Sequence, residues 1–171
     1  MSDELYDKLQ SMIGQVTGPY PANDEVNKAM IRHWCEAMQD GNPLYTDEAY
    51  AKSSKYGGII APPQMVQAYT VPRLWPPYEG REPNTLEILT KLMDGSGFPY
   101  VVATTTSHEY HAPMQPGDAL NYTLEFTKAS PQKKTGLGTG YFLTVLYTYK
   151  NQKDEVVCKQ SFTIFKFKLN S

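Results

Sequence analysis

The stretch Asp40 to Tyr45, "DGNPLY", carries the side chains of greatest chemical interest. It places the carboxylate of Asp40, the carboxamide of Asn42 and the phenol of Tyr45 close together along the chain. A carboxylate can serve as a general acid or base, whereas a phenol with an ordinary pKa of about 10 is a poor base at neutral pH. An Asp-Gly-Asn-Pro string is also typical of a turn after a helix. Taken alone, the stretch therefore leaves a catalytic and a structural interpretation open.

Two other stretches resemble metal-binding or phosphate-binding patterns. His108 and His111 lie in "HEYH", where a strand is expected, and strand residues three apart point to opposite faces, which disfavours a shared metal ion. One of them remains a candidate for lining a pocket. Lys133 and Lys134 precede a glycine-containing segment that lacks the GxxxxGK[ST] spacing of a phosphate loop. At a sheet edge this pair is either a solvated surface pair or a contact for the phosphates of coenzyme A.

The first half of the chain has helical spacing. Apolar residues from Leu5 to Val16 predict a first helix that ends before Gly18-Pro19. A second helix is predicted from Asn23 or Asp24 to the "DGNP" string, which places Asp40 and Asn42 in a loop at a helix C-terminus. Further helices are predicted around 47–52, from Met65 until Pro72 breaks the pattern, and over 85–93.

The second half changes to the period of a sheet. Leu120, Tyr122, Leu124 and Phe126 alternate with polar residues, as one covered face of a sheet requires. Four long antiparallel strands are predicted in "YVVATTTSHEYH", "DALNYTLEFTKA", "GYFLTVLYTYKN" and "EVVCKQSFTIFKF". The expected fold class is α+β, with a curved antiparallel sheet wrapped round a helix.

Length and composition exclude several classes of function. The 171 residues predict a single domain spanning 1–171. A formal net charge of -2 without a basic cluster argues against a nucleic-acid partner. No apolar run has the length of a membrane span, and the acidic start differs from a signal peptide, so a cytoplasmic protein without a membrane partner is expected. Cys35 and Cys158 form no CxxC and are predicted to be buried thiols.

"DGNPLY" followed by "YGGIIAPP" and four strands resembles the MaoC-like hydratases and dehydratases of the hotdog fold. The similarity covers most of the chain and is strongest to the branch that reads D-x-N-P-L-Y and then G-G-x-x-A-P-P. It implies a central helix inside the curved sheet, two such units side by side, and an acyl thioester between them. Active members with D-x-N-P-x-H hydrate trans-2-enoyl thioesters to (R)-3-hydroxy products, and no cofactor is expected besides the coenzyme A thioester substrate.

The sequence departs from the active pattern in two places. Tyr45 occupies the position of the catalytic histidine, so the base pair with Asp40 is incomplete. Active members carry A-H-G at the start of the central helix, whereas this chain has Ala61-Pro62-Pro63, and proline has no N–H to offer the thioester oxygen. The resemblance therefore implies a subunit with a degenerate catalytic motif.

The favoured hypothesis is a non-catalytic subunit of a heteromeric (R)-specific enoyl-CoA hydratase for a bulky, steroid-side-chain type acyl group. Its predicted partner is a hotdog chain with D-x-N-P-x-H, in a heterodimer or heterotetramer, with an OB-like domain protein and an aldolase as further partners. Candidate walls of the acyl site, opened where Pro72 shortens the helix, are Tyr69, Leu74, Trp75 and Tyr78, although core packing explains them equally well. The predicted substrate-binding residues are Tyr56, Gly57, Gly58, Pro62, Pro63, Tyr69, Trp75, Lys133 and Lys134.

Two alternatives remain open. One is a self-sufficient homodimeric hydratase, or a dehydratase acting on acyl carrier protein, in which Asp40 works with Tyr45, His108 or His111. The other is an acyl-CoA binding module without catalysis.

Overall fold

The computed structural model of the chain describes residues 3–72, 75–76 and 80–170. A short 3-10 turn, Pro63–Met65, leads directly into the fifth helix, Val66–Thr70. Helices lie at α1 (Glu4–Ser11), α2 (Lys28–Met38), α3 (Pro43–Thr46), α4 (Glu48–Ser53), α5 (Val66–Thr70) and α6 (Thr85–Gly95). Strands lie at β1 (Val16–Pro21), β2 (Tyr100–Tyr110), β3 (Asn121–Ala129), β4 (Lys133–Lys134), β5 (Thr139–Lys150) and β6 (Val156–Lys168).

The strands form one antiparallel sheet in the order β1-β3-β5-β6-β2, with β4 paired to the start of β5. The predicted strands β2, β3, β5 and β6 are confirmed. Two further strands were not predicted: β1 pairs with β3 at one end of the sheet, and β4 pairs with the start of β5. Because β1 and β2 are the two ends of the order, each has one edge that is unpaired among the described residues.

The sheet wraps round the short helix α5, as predicted. Met65, Val66 and Tyr69 are buried in one core cluster together with Leu124 of β3 and Cys158 of β6. A second cluster joins α1 and α6 to the other end of the sheet. These two clusters pack the helices against the inner face of the sheet. Helix α5 ends at Thr70, with Val71 as its C-cap directly before Pro72. The predicted central helix and its early end are therefore confirmed.

Two helix boundaries differ from the prediction. The helix predicted up to Val16 ends at Ser11, because Gly14 adopts a positive φ of 88° and Val16 starts β1, which pairs with β3. The helix predicted from Asn23 or Asp24 starts only at Lys28, with Asn27 as its N-cap. Asn23 instead donates its side-chain amide to the carbonyl of Val71 at 2.6 Å, so these residues form a tertiary connection to the end of α5.

The other helices agree with the prediction. The segments 47–52 and 85–93 correspond to α4 and α6, and α6 begins with a capping box between Asn84 and Glu87. Among the described residues, the helices are too short and too polar to cross a membrane. Cys35 and Cys158 are buried free thiols, as predicted.

Candidate active site

The motif loop begins where α2 ends. Gln39 takes a left-handed conformation, and the N–H of Asp40 donates to the carbonyl of Cys35 at 2.9 Å. The carboxylate of Asp40 then accepts the N–H of Asn42 at 3.0 Å, and the side chain of Asn42 accepts the N–H of Leu44 at 3.1 Å. Asn42 is thereby the N-cap of α3. Both motif side chains close the loop, and both remain half-buried.

Tyr45 lies on α3, half-buried against the core cluster around α5. Burial, followed by the nearby negative charge of Asp40, raises the pKa of the Tyr45 phenol above its usual value, and a hydrogen bond with Asn42 opposes this only in part. A tyrosine must lose its proton before it can accept one from water. The environment therefore makes the phenolate of Tyr45 rarer at neutral pH than that of a free phenol.

The segment Ala61-Pro62-Pro63 enters the turn before α5. The N–H of Ala61 donates to the carbonyl of Met114 at 2.8 Å, and neither proline has an N–H. A thioester oxygen placed at this turn would therefore find no donor on any of the three residues. In the structure, residues 61–63 thus have no backbone N–H free to donate a hydrogen bond.

Two neighbouring clefts flank the motif. The first, here named the motif cleft, has a volume of about 360 Å³, and the second, the glycine cleft, has about 300 Å³. The ion pair of Lys28 with Glu48 and the side chain of Ile59 belong to both clefts and divide them. The motif cleft is lined by Lys28, Arg32, Cys35, Glu36, Tyr45, Thr46, Glu48 and Ile59. The glycine cleft is lined by Lys28, Glu48, Lys52, Gly57, Gly58, Ile59, Gln115 and Pro116.

A third cleft, here named the edge cleft, joins the start of the central turn to the end of β2. Its volume is about 320 Å³. It brings together three of the candidates, Tyr56, Pro63 and His111, with the ammonium of Lys55 5.0 Å from the centre of the Tyr56 ring. The lining residues are Lys55, Tyr56, Ile60, Ala61, Pro63, Tyr110, His111, Ala112, Pro113, Met114 and Val157.

His108 lies in β2, whereas His111 comes directly after the last residue of that strand, Tyr110. His108 stacks on Tyr110 with ring centres 5.7 Å apart, whereas His111 approaches Glu109 at 3.5 Å. Burial lowers the pKa of His108, which favours the neutral imidazole at pH 7. Across 3–72, 75–76 and 80–170, no group of three His, Cys, Asp or Glu side chains is arranged to hold a metal ion.

The other predicted residues are not gathered at the motif. Tyr69 is 1% exposed, and its hydroxyl lies 3.5 Å from the backbone of Asn27, so it packs in the core. Trp75 is 85% exposed, while Leu74 and Tyr78 lie outside the described residues. Lys133 and Lys134 do lie at the sheet margin, but β4 pairs with Gly140 and Thr139, at the opposite end of β5 from the edge cleft. The separation along β5 is about 30 Å.

A fourth cavity lies outside the residues singled out by the sequence. This tyrosine cavity, of about 100 Å³, is formed where the end of α5 meets the enclosed face of the sheet. Its lining residues are Gln67, Thr70, Val71, Pro72, Asn84, Tyr122, Tyr147, Tyr149, Gln160 and Phe162. The alternation of Tyr147 and Tyr149 in "LYTY" signals that both share a face, but only the pairing of β5 with β6 places Gln160 beside them.

A curved antiparallel sheet round a central helix defines the hotdog fold, and solved structures agree. The fold matches that of an (R)-hydratase from A. caviae with a TM-score of 0.59 and 15% identity, covering 91% of this chain and 96% of that one. The chain also matches the model of the FAS1-like dehydratase domain region over residues 11–160. The protein therefore belongs to this MaoC-like dehydratase family, as the motifs indicated.

Two curated proteins and one solved complex are more similar to this chain. A probable enoyl-CoA hydratase alpha subunit of Thermomonospora curvata is 41% identical over 98% of this chain and 54% of that protein. The 3-oxo-4,17-pregnadiene-20-carboxyl-CoA hydratase alpha subunit of Mycobacterium tuberculosis is 34% identical over 94% of this chain and 52% of that protein. The crystal structure of the ChsH1-ChsH2 complex from M. tuberculosis matches with a TM-score of 0.87 and 32% identity, covering 98% of both chains. The chain thus spans about half the length of these two curated relatives.

Proposed function

We propose that this chain is a non-catalytic hotdog subunit of a heteromeric (R)-specific trans-2-enoyl-CoA hydratase, acting on a bulky acyl group of the steroid side-chain type. In this role it supplies walls of the acyl and coenzyme A site, while its partner supplies the complete Asp and His pair. The observation that carries the proposal is the combined loss of a base and of backbone donors at the motif.

Hydration of an enoyl thioester needs a base that activates water and donors for the charge that develops on the thioester oxygen. Tyr45 replaces the imidazole, and its raised pKa keeps the phenol protonated at neutral pH, so that it has no free base to offer the water. Asp40 accepts a hydrogen bond within its own loop, and residues 61–63 offer no free N–H. Both requirements fail in this chain, which favours catalysis by another chain.

The two outer strands differ in a way that supports a partner at β2. β1 contains Pro19 and Pro21, and prolines weaken strand pairing at an edge. β2 has 11 residues, no proline and a single charged side chain, Glu109, and most of its residues are exposed. A long edge strand of this kind can pair with a strand of another chain. A hotdog partner added at β2 would also close the edge cleft.

The lysines of two clefts support a position for coenzyme A. Lys55 lines the edge cleft and Lys52 the glycine cleft, and both lie near Gly57-Gly58. Ammonium groups can attract the phosphates of the coenzyme. Lys133 and Lys134, about 30 Å away along the sheet, could reach the coenzyme only if another subunit brought it there. We assign the coenzyme contact to Lys52 and Lys55.

The relatives support the choice of substrate and assembly. One is named as a hydratase of a steroid-type acyl-CoA, and both are named alpha subunits. Those proteins are about twice as long as this chain, so their additional length has room for a further domain. An OB-like domain protein and an aldolase remain proposed partners on the same basis.

One observation favours the self-sufficient alternative. His111 lies in the edge cleft with Pro63, so an imidazole is present near the start of the central turn even though Tyr45 is not one. In a homodimer this histidine would have to replace the missing base. Turnover by the pure chain that is lost in His111→Ala and in Asp40→Ala would establish this alternative.

The proposal is tested by hydration of a panel of trans-2-enoyl-CoA thioesters, from short-chain to steroid. The panel is measured with the purified chain alone and with a co-expressed hotdog chain that contains D-x-N-P-x-H. We expect no turnover by the chain alone and clear turnover by the pair. Turnover by the chain alone would refute the non-catalytic role. Binding of the thioesters without turnover in either sample would favour the acyl-CoA binding module.

A further inference from the structure

The backbone N–H groups that line the glycine cleft differ in how they are satisfied. Tyr56 and Gly57 both donate to Ser54, the first to its hydroxyl at 3.2 Å and the second to its carbonyl at 3.1 Å. The next two N–H groups, those of Gly58 and Ile59, have no acceptor in the described part of the chain. Ile59 is only 8% exposed, and a buried N–H without an acceptor is costly unless water or a ligand accepts its hydrogen bond.

A glycine at position 58 is required neither by its backbone conformation nor by packing. Gly57 adopts a φ of 72°, which favours glycine, whereas Gly58 lies outside the left-handed region. A Cβ atom added to Gly58 would meet no heavy atom of the described residues within 4 Å, apart from its two chain neighbours. The residue therefore lines the cleft with backbone alone. Consecutive N–H groups in a turn form a concave site for anions.

The charged side chains that line this cleft favour an anionic ligand. They are two lysines and one glutamate. Lys28 is paired with Glu48 at 2.5 Å, whereas the exposed Lys52 has no ion-pair partner among the residues that the structure describes. Backbone N–H donors beside an ammonium group can bind phosphate oxygens through charge-assisted hydrogen bonds. The cleft therefore has both the donors and the charge that a phosphate group requires.

The glycine cleft and the edge cleft are lined by neighbouring residues of one loop. Residues 57–59 line the glycine cleft, whereas 55–56 and 60–61 line the edge cleft. Gln115 of the glycine cleft donates its side-chain amide to the carbonyl of Tyr56 of the edge cleft at 2.8 Å, which connects the two walls. A pantetheine arm that occupies the edge cleft can therefore place the phosphate at its end in the glycine cleft.

We propose that the glycine cleft binds the phosphate group at the end of a pantetheine arm, with the N–H groups of Gly58 and Ile59 as donors and Lys52 as the counter-charge. The ligand class is a 4′-phosphopantetheine thioester, whether the arm belongs to coenzyme A or to a carrier protein. This inference rests on the proposed function, since it takes the pantetheine arm to lie in the edge cleft. It adds that this chain holds the arm by its phosphate, so that pantetheine thioesters without the phosphate bind poorly.

The test compares two small ligands that differ in one phosphate group, 4′-phosphopantetheine and pantetheine. Each is titrated into the isotope-labelled full chain, and binding is followed by NMR. We expect 4′-phosphopantetheine to bind about tenfold more tightly than pantetheine. The amide proton signals of Gly58 and Ile59 should shift downfield with the phosphorylated ligand only. Lys52→Gln should reduce the preference about threefold, whereas the matched control Lys133→Gln, also an exposed lysine, should retain it.

The outcomes separate this site from the function on which it rests. Equal affinities for the two ligands, or a preference without shifts at Gly58 and Ile59, would overturn the phosphate site alone, because turnover by the hydratase pair would still support the proposed function. Binding of neither ligand would overturn the coenzyme site and the phosphate site together.

Coenzyme A and a phosphopantetheinyl-serine peptide then identify the source of the arm. Tighter binding of coenzyme A assigns the site to the coenzyme, whereas equal binding shows that the cleft recognises only the phosphate that both ligands share. Both ligands must bind more tightly than pantetheine, and the phosphate site is overturned if they do not.

Discussion

Restoring the two missing functions separately provides a strong test of why the motif is inactive. Tyr45→His returns an imidazole to the motif, and Pro63→Gly returns one backbone N–H to the turn before α5. A general base typically contributes about 10² to 10⁴ in rate, and one oxyanion donor about 10² to 10³. Because Ala61 already donates to Met114 and Pro62 has no N–H, Pro63→Gly provides the only new donor in this segment. The variant that combines Tyr45→His with Pro63→Gly should therefore hydrate an enoyl thioester at least about 100-fold faster than Tyr45→His alone.

The assay follows the loss of absorbance of the conjugated enoyl thioester in samples of pure chain, without a partner. Tyr50→His is the matched control, because it places an imidazole on an exposed residue of the neighbouring helix α4 that lines none of the clefts described above. It should give no rate with or without Pro63→Gly. The explanation is refuted if Tyr45→His alone gives a rate that Pro63→Gly does not increase. It is also refuted if Tyr50→His is as active as Tyr45→His.

Three further predictions concern binding and stability. In calorimetry, Lys52→Gln should weaken the binding of coenzyme A about threefold in low salt and less in high salt. The control Lys133→Gln should leave the affinity for coenzyme A unchanged. Equal losses of affinity in the two variants would contradict the assigned site. Lys166 is 1% exposed and pairs with Asp94. Asp94→Asn leaves a buried charge uncompensated and should lower the free energy of unfolding by about 3 kcal/mol, whereas Lys166→Met removes that charge and should lower it by about 1 kcal/mol or less. Urea midpoints in the reverse order would contradict this. Tyr147 keeps its proton up to about pH 12 in the folded chain, whereas the phenol of the unfolded chain loses its proton near pH 10. The contribution of Tyr147 to the free energy of unfolding is therefore complete below about pH 10 and is lost as the pH rises toward 12. Two pKa units correspond to about 3 kcal/mol, and Tyr147→Phe should make the urea midpoint less sensitive to pH over this interval; an unchanged sensitivity would argue against burial of the phenol.

The sequence predicts the fold well wherever one local pattern determines an element. Alternation over Leu120 to Phe126 identified β3, and Pro72 correctly predicted the early end of α5. The helical spacing that reached Val16 was misleading, because Val16 pairs with Glu125 of β3 and such distant pairing leaves no trace in the local pattern. The start of α2 was misplaced for the same reason, since Val26 exchanges backbone hydrogen bonds with the loop at Gly117 and Asp118.

The candidate site was predictable only in part. "DGNPLY" and "APP" identified the family and the two departures from its active pattern, because those residues are adjacent along the chain. The tyrosine cavity could not be predicted, since Tyr147, Gln160 and Thr70 come together only through strand register and the docking of α5. Lys133 and Lys134 illustrate the opposite case, because their charge suggested a phosphate contact, but β4 lies far from the motif.

The unpaired edge of β2 also bears on how the chain is made. An edge strand of 11 residues, most of them exposed, can pair with a second copy of the same chain as readily as with a partner of similar shape, because backbone hydrogen bonds do not discriminate between sequences. Whether β2 pairs with its own copy or with the partner chain then depends on the relative concentrations of the two chains. Balanced synthesis of the two subunits would direct β2 into the mixed pair, whereas an excess of this chain would direct it into self-association. The exposed strand thus makes the ratio of the two chains a determinant of assembly.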